Sequence, residues 1–132
     1  MSVKKVFSKT LKLLLDNVYQ EGRYYSIVFG KLRGLKLMYK RDIKFRYYMG
    51  LMEKTQFDYI DLLINKFRLD KQKLIVADVG ANMGYYSLYF ARFLDSESII
   101  FAFEPSFQIF EILKRNINYF SPSLIISSQK VK

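Results

Sequence analysis

The feature that most constrains this chain is a nearly continuous apolar run, Leu74–Val79, followed at once by the small-residue turn Gly80-Ala-Asn-Met-Gly84. Such a run is typical of a strand buried on both faces of a parallel sheet. A mostly apolar helix is expected over 84–94, and a second buried strand over Ile99–Phe103, which ends in Glu104-Pro105. Strands and helices therefore alternate in this part of the chain.

The alternation continues to the end of the sequence. A second helix places apolar side chains on one face, at Phe110, Leu113, Ile117 and Phe120. After the turn Ser121-Pro-Ser123, Leu124–Ile126 begins a third strand. Strand, helix, strand, helix, strand is a βαβαβ unit, which is half of a doubly wound fold. The sequence therefore predicts an α/β protein with a partial Rossmann-like sheet.

A different organisation is expected before this unit. Residues 3–19 carry apolar side chains at helical spacing with lysines between them, which predicts a basic amphipathic helix. Residues 35–40 and 43–48 alternate around Arg41-Asp42, which favours a β-hairpin, and 53–68 has the pattern of an amphipathic helix. We therefore divide the chain into a lead-in, residues 1–72, and a βαβαβ half-domain, residues 73–132.

The positive charge of the chain belongs to the lead-in. Residues 1–73 hold 17 lysines and arginines against 7 acidic residues, whereas 74–132 hold five of each. This split favours a solvated basic face, and it leaves open an anionic partner. The amphipathic helix would then make peripheral contact with a membrane surface, or the segment would bind nucleic acid, for which no recognised motif is present.

Two further features limit location and chemistry. No apolar run approaches the ~20 residues that span a bilayer, and residues 1–15 do not resemble a signal peptide, so the cytoplasm is the expected location. The sequence has no cysteine and no histidine, which excludes disulfides, thiolate metal sites and histidine-activated nucleophiles. No metal site is expected, and any chemistry must use carboxylates, lysine, tyrosine or a bound cofactor.

The turn between the first strand and the first helix has the composition of a ligand-binding loop. Gly80 and Gly84 allow a sharp turn and close approach of a ligand to the backbone. The start of the following helix presents free N–H groups. Glu104 follows the next strand, 24 positions after Gly80, where an acid reaches the ribose hydroxyls of a nucleotide-like ligand.

The spacing of the loop bears on which ligand it holds. A dinucleotide fingerprint reads G-x-G-x-x-G, but here Asn82 stands where the second glycine would lie. The carboxylate of Asp78, two residues before Gly80, would repel a pyrophosphate and favour a ligand with an ammonium group. S-adenosylmethionine fits this pattern, since it has a ribose for Glu104, a positive sulfonium and an amino-acid end for Asp78.

These residues resemble the FkbM family of methyltransferases. The resemblance covers about 74–118, with Val-Ala-Asp-Val-Gly-Ala-Asn-Met-Gly-Tyr-Tyr-Ser from Val76, Phe-Ala-Phe-Glu-Pro-Ser from Phe101 and Leu-Lys-Arg-Asn-Ile from Leu113. A weaker similarity runs through Gly30–Leu37 and the Gly-x-x-Glu segment that ends at Glu53. The resemblance implies a class I methyltransferase fold, S-adenosylmethionine as cofactor, and transfer of a methyl group to oxygen on a sugar or natural product. The cofactor-binding residues that it implies, together with their neighbours in the loop, are Asp78, Gly80, Ala81, Asn82, Gly84, Tyr85, Glu104 and Pro105.

The sequence departs from that family in extent. The class I sheet has seven strands, and this chain offers at most three, so we expect an N-terminal part of an enzyme, with catalytic residues and methyl acceptor unassigned. A catalytically inactive remnant or interaction module is the alternative, and a basic nucleic-acid-binding protein is the third. The strand at 74–79 would be central in the complete sheet, so here one edge lacks a partner, which favours self-association.

Overall fold

The fold is taken from a computed structural model, which describes residues 17–69, 73–120 and 126–129. The elements of the lead-in are β1 (Tyr24–Ser26), β2 (Lys36–Met38), α1 (Arg46–Met49) and α2 (Lys54–Leu69). Those of the second half are β3 (Ile75–Val79), α3 (Tyr85–Phe93), β4 (Ile99–Phe103), α4 (Phe107–Phe120) and β5 (Ile126–Gln129). The helix predicted over 3–19 lies almost entirely outside the described residues.

The second half is a parallel βαβαβ unit, as the sequence predicts. Its strands lie in the order β3-β4-β5, and the register pairs Val79 with Phe103 and Phe103 with Gln129. The carboxyl ends of β3 and β4 therefore lie side by side. Within the described part of the chain, β3 pairs with β4 alone, so its other edge is open.

One face of the sheet is uncovered within the described residues, and here the prediction for the first strand is wrong. Ile75 and Val79 are 73% and 78% exposed, although an apolar run was expected to be buried on both faces. The alternate residues of β4, Ile100 and Ala102, are fully buried. The difference arises because α3 and α4 pack on the same side of the sheet, leaving the opposite side chains of β3 without a covering layer.

The antiparallel strand pair of the lead-in exists, but its strands differ from the predicted hairpin. β2 pairs with β1, so that Met38 lies opposite Tyr24, rather than pairing with 43–48. The Arg41-Asp42 connection has no glycine to give the positive φ of a two-residue hairpin turn. The chain instead forms the short helix α1, which Gly50 ends with a left-handed φ of 71°.

The lead-in and the half-domain share one core. α2 and α3 meet through stacked rings, with the centroids of Phe57 and Tyr89 4.2 Å apart. Asn116 of α4 is fully buried; its Oδ1 accepts a hydrogen bond from the N–H of Met38 at 2.8 Å, and its Nδ2 donates to the carbonyl of Met83 at 2.8 Å. One side chain thus joins β2 to the turn that follows β3.

Candidate functional site

The turn after β3 folds across the end of the neighbouring strand. The N–H groups of Gly80 and Ala81 both donate to the carbonyl oxygen of Phe103, each over 2.9 Å. Gly80 has a φ of 79°, a backbone conformation that residues other than glycine rarely adopt. No heavy atom lies within 4 Å of the point where a Cβ would stand. The backbone at Gly80 therefore faces open space, in which a ligand can come into contact with it.

Glu104 lies against this turn. Its Oε2 accepts the N–H of Asn82 at 2.9 Å, and its Oε1 accepts the N–H of Ser106 at 2.8 Å. The side chain is only 7% exposed. The structure thus brings the glycine turn and the acid together, as expected from their places at two adjacent strand ends, while the contact of Glu104 with a ribose stays a prediction.

Asp78 has a structural partner that the sequence analysis did not identify. Its Oδ2 accepts the hydroxyl proton of Ser87 at 2.6 Å, across the start of α3. Burial raises the pKa of the Asp78 carboxyl above its ordinary value, while hydrogen bonds from the Ser87 hydroxyl and backbone N–H act in the opposite direction. Ser87 stands in the first turn of α3, nine positions after Asp78, and no sequence motif indicated this bond.

The remaining residues of the turn fix its shape. Asn82 has a φ of 51°, and its Oδ1 accepts the N–H of Met83 at 2.7 Å. Asparagine tolerates this left-handed conformation because its short side chain bonds locally. Gly84 has a φ of 92°, which strains any residue with a Cβ, and a Cβ there would also lie 2.8 Å from Cδ1 of Leu113 in α4, which would have to shift.

Three of the predicted site residues differ in their surroundings from Asp78, Asn82 and Glu104. Ala81 is 5% exposed and packs with Ala102 and Leu113, so only its backbone can meet a ligand in the crevice. Tyr85 is a core residue, and burial, with smaller contributions from Tyr47 and Glu53, raises its pKa to about 12. Pro105 is exposed beside the Ser106 N–H that binds Glu104.

Glu53 joins the site from the lead-in. The phenol of Tyr86 donates to Glu53 Oε2 at 2.8 Å, and Glu53 has a φ of 61°. Burial first, and then this hydrogen bond, raise the pKa of Tyr86, to which the charge of Asp78 also contributes. The sequence indicates Glu53 only through the Gly-x-x-Glu similarity. No sequence pattern indicates its hydrogen bond with Tyr86, which lies 33 positions away.

The acidic residues around the turn lack the lysine partners that four other acidic residues have. Asp58, Asp61, Glu97 and Glu111 each form an ion pair with a lysine. Within the described ranges, no lysine or arginine forms an ion pair with Glu53, Asp78 or Glu104. Although the chain has a net charge of +10, these three carboxylates accept hydrogen bonds from hydroxyl and N–H groups instead.

Comparison with solved structures identifies the architecture. Two structures of WbdD, one titled a bifunctional kinase-methyltransferase and the other a co-crystal with the kinase inhibitor LY294002, superpose with a TM-score of 0.55 at 14% sequence identity. The match covers 92% of this chain. The chain has a methyltransferase-like fold. This fold is the partial Rossmann-like α/β arrangement that the strand and helix pattern predicts.

The extent of these matches is uneven. This chain spans 23% and 24% of the two WbdD chains. A putative O-methyltransferase from Klebsiella pneumoniae aligns over 56% of this chain and 33% of its own, with 20% identity and a TM-score of 0.43. No family model and no curated protein matches the sequence.

Two structural features are absent from the described residues. None of their helices has both the length and the apolar composition needed to cross a bilayer. Their histidine, cysteine, aspartate and glutamate side chains form no group of three or more that could hold a metal ion.

Proposed function

We propose that this chain binds S-adenosylmethionine and forms the cofactor-binding part of a methyltransferase similar to the FkbM family. The observation that carries the proposal is the set of three carboxylates, Glu53, Asp78 and Glu104, which surround the turn without a lysine or arginine partner among the described residues. A ligand with positive charge and several hydroxyl groups complements such a set, whereas a pyrophosphate does not.

Each end of the proposed ligand has a matching group. The ribose hydroxyls of S-adenosylmethionine would donate to Glu104, which the N–H groups of Asn82 and Ser106 already hold in place. The amino-acid end would lie near Asp78, whose carboxylate is hydrogen-bonded to Ser87 and has further lone pairs that can accept a hydrogen bond from an ammonium group. The open space at Gly80 admits the ligand to the backbone.

For the whole protein we propose methyl transfer to the oxygen of a sugar or natural-product hydroxyl. When bound, the cofactor supplies an electrophilic methyl group, and a protein accelerates its displacement mainly by holding it in line with the nucleophile. The part played by this chain is to orient the cofactor through Glu104, Asp78 and the backbone of 80–84. The class of methyl acceptor is proposed from the family resemblance alone. No residue of this chain is assigned as the base that takes the acceptor's proton.

Isothermal titration calorimetry tests the cofactor assignment. We expect S-adenosylmethionine and its demethylated product, S-adenosylhomocysteine, to bind in preference to NAD. Circular dichroism on the same sample establishes that the protein is folded. Preference for NAD would overturn the assignment, and a folded protein that binds neither would favour the interaction module instead.

A further inference from the structure

A cleft of about 410 Å³ lies in the lead-in, between the loop that follows β1 and the start of α2. Its walls include Phe29, Lys31, Leu51, Met52, Phe57 and Asp58; we call it the Phe29 cleft. The cofactor assignment does not use it, although Gly30 and the Gly-x-x-Glu segment, which carry the weaker family similarity, form part of its lining. Its volume is within the range of small-molecule sites, which are typically mostly apolar clefts with a few polar groups.

The floor of the Phe29 cleft is built by two glycines that touch. Both have left-handed φ values, 74° at Gly30 and 71° at Gly50. A Cβ on Gly30 would lie 2.6 Å from the carbonyl oxygen of Gly50, and a Cβ on Gly50 would overlap the carbonyl oxygen of Phe29. The N–H of Phe29 also donates to the carbonyl of Met49 at 3.1 Å. The two walls are therefore held at a fixed separation by the backbone.

The chemistry of the walls selects a ring compound without net charge. Phe29 and Leu51 are 51% and 52% exposed, so a large apolar area faces the cleft. Lys31 is bound by both Asp58, at 2.8 Å, and Asp61, which neutralises its charge at the rim. Lys54 also lines the cleft, so the charges of two lysines, Asp58 and the Asp61 that binds Lys31 balance, and the rim attracts neither sign strongly. The Asp58 side chain is 56% exposed, so its carboxylate can also accept a hydrogen bond from a ligand hydroxyl.

The Phe29 cleft is adjacent to the proposed cofactor site. Phe57 forms part of its wall, and the centroid of the same ring lies 5.2 Å from that of Tyr86, whose phenol meets Glu53. Met52, another wall residue, directly precedes Glu53 in the chain. One layer of side chains thus separates the cleft from the carboxylates around the glycine turn.

From these observations we propose that the Phe29 cleft binds a neutral, ring-bearing alcohol or phenol. This proposal is independent of the cofactor assignment, since none of the residues assigned to the cofactor lines the cleft. Stacking on Phe29, contact with Leu51 and a hydrogen bond to Asp58 together account for the chemical class.

Saturation-transfer NMR with 2-naphthol as the probe tests the cleft in the full chain. We expect binding to the wild type, and a dissociation constant about tenfold higher or more for Leu51→Gln, because the apolar contact with the ring is lost. Leu62→Gln is the matched control, since Leu62 is 68% exposed on α2 and does not line the cleft. Both substituted side chains are largely in solvent, so both variants should fold.

The outcomes separate the two proposals. If 2-naphthol does not bind, or binds equally well to both variants, the cleft is not a ring-binding site. Tighter binding of naphthalene-2-sulfonate than of 2-naphthol would overturn the neutral class. S-adenosylhomocysteine is titrated on the wild type in parallel: its failure to bind would count against the cofactor assignment alone, while loss of 2-naphthol binding in Leu51→Gln would still support the cleft.

Discussion

The phenol of Tyr86 donates a hydrogen bond of 2.8 Å to the Glu53 carboxylate. This bond connects α3, the helix after the glycine turn, to the start of α2 in the lead-in. It holds the Glu53 side chain toward the turn, although the residue itself has the unfavourable φ of 61°. A non-glycine residue in this region costs of order 1–3 kcal/mol and persists only where surrounding contacts determine it. The lead-in is therefore part of the site, to which it contributes the carboxylate of Glu53 in a fixed position.

The first prediction concerns this bond. Tyr86→Phe should lower the free energy of unfolding by about 1–2 kcal/mol, because a hydrogen bond to a charged acceptor is lost while the ring stays in place. Tyr59→Phe is the control, since Tyr59 is 65% exposed on α2 and its phenol makes no described hydrogen bond. Urea unfolding followed by circular dichroism measures both. Equal stability of the two variants would mean that the bond contributes nothing.

The second prediction concerns ligand binding by Glu104. Glu104→Ala should weaken S-adenosylhomocysteine binding by about 1.5–3 kcal/mol, the range for hydrogen bonds to a charged group. Glu97→Ala, which removes an exposed acid paired with Lys73, should leave the affinity unchanged. Calorimetric titration of both variants is decisive, and an unaltered affinity in Glu104→Ala would place the ribose elsewhere.

The backbone of the turn gives a third prediction. Gly80→Val should abolish S-adenosylhomocysteine binding, because a φ of 79° is strained for a β-branched residue and the added side chain would fill the space open to the ligand. Binding is measured by calorimetry after circular dichroism has established that the variant is folded. A folded Gly80→Val variant of wild-type affinity would show that the ligand does not approach this turn.

The raised pKa of Asp78 gives a prediction about pH. Since its folded-state pKa lies above the unfolded value, the native state binds more protons, and stability falls as pH rises between the two values. Asp78→Asn should therefore be more stable than the wild type at neutral pH and equal to it below the ordinary aspartate pKa. Asp58→Asn should show the opposite sign, because Lys31 lowers the pKa of Asp58. Urea unfolding at several pH values tests both.

Among the described residues, β3 has an unpaired edge and an exposed face, and these lead to a prediction about association. We expect the chain to self-associate, since an open apolar strand edge pairs readily with another chain. Ile75→Lys should shift sedimentation velocity profiles toward monomer, whereas Leu62→Lys, at a comparably exposed position on α2, should not. A wild-type protein that is monomeric at all concentrations tested would contradict this prediction.

Local patterns in the sequence predicted the second half well. The observed bounds of β3, α3 and β4 lie within one residue of those expected, because apolar periodicity and the glycine turn act over a few positions. The sequence did not predict that β2 pairs with Tyr24–Ser26, or that Tyr86 meets Glu53, since both contacts join distant segments through tertiary packing. The exposed face of β3 was also missed, because an apolar run carries no information on which elements cover it.

The carboxylate of Glu104 is already aligned by two backbone N–H groups before any ligand arrives. Each of its oxygens keeps a lone pair for a further donor, so a ribose hydroxyl can bond without breaking either contact. Binding should then require no slow rearrangement at this residue, and association with S-adenosylhomocysteine in stopped-flow mixing should be a single step whose rate rises linearly with ligand concentration. The hydrogen bonds that hold Glu104 before the ligand binds should thus affect the rate of binding as well as the affinity.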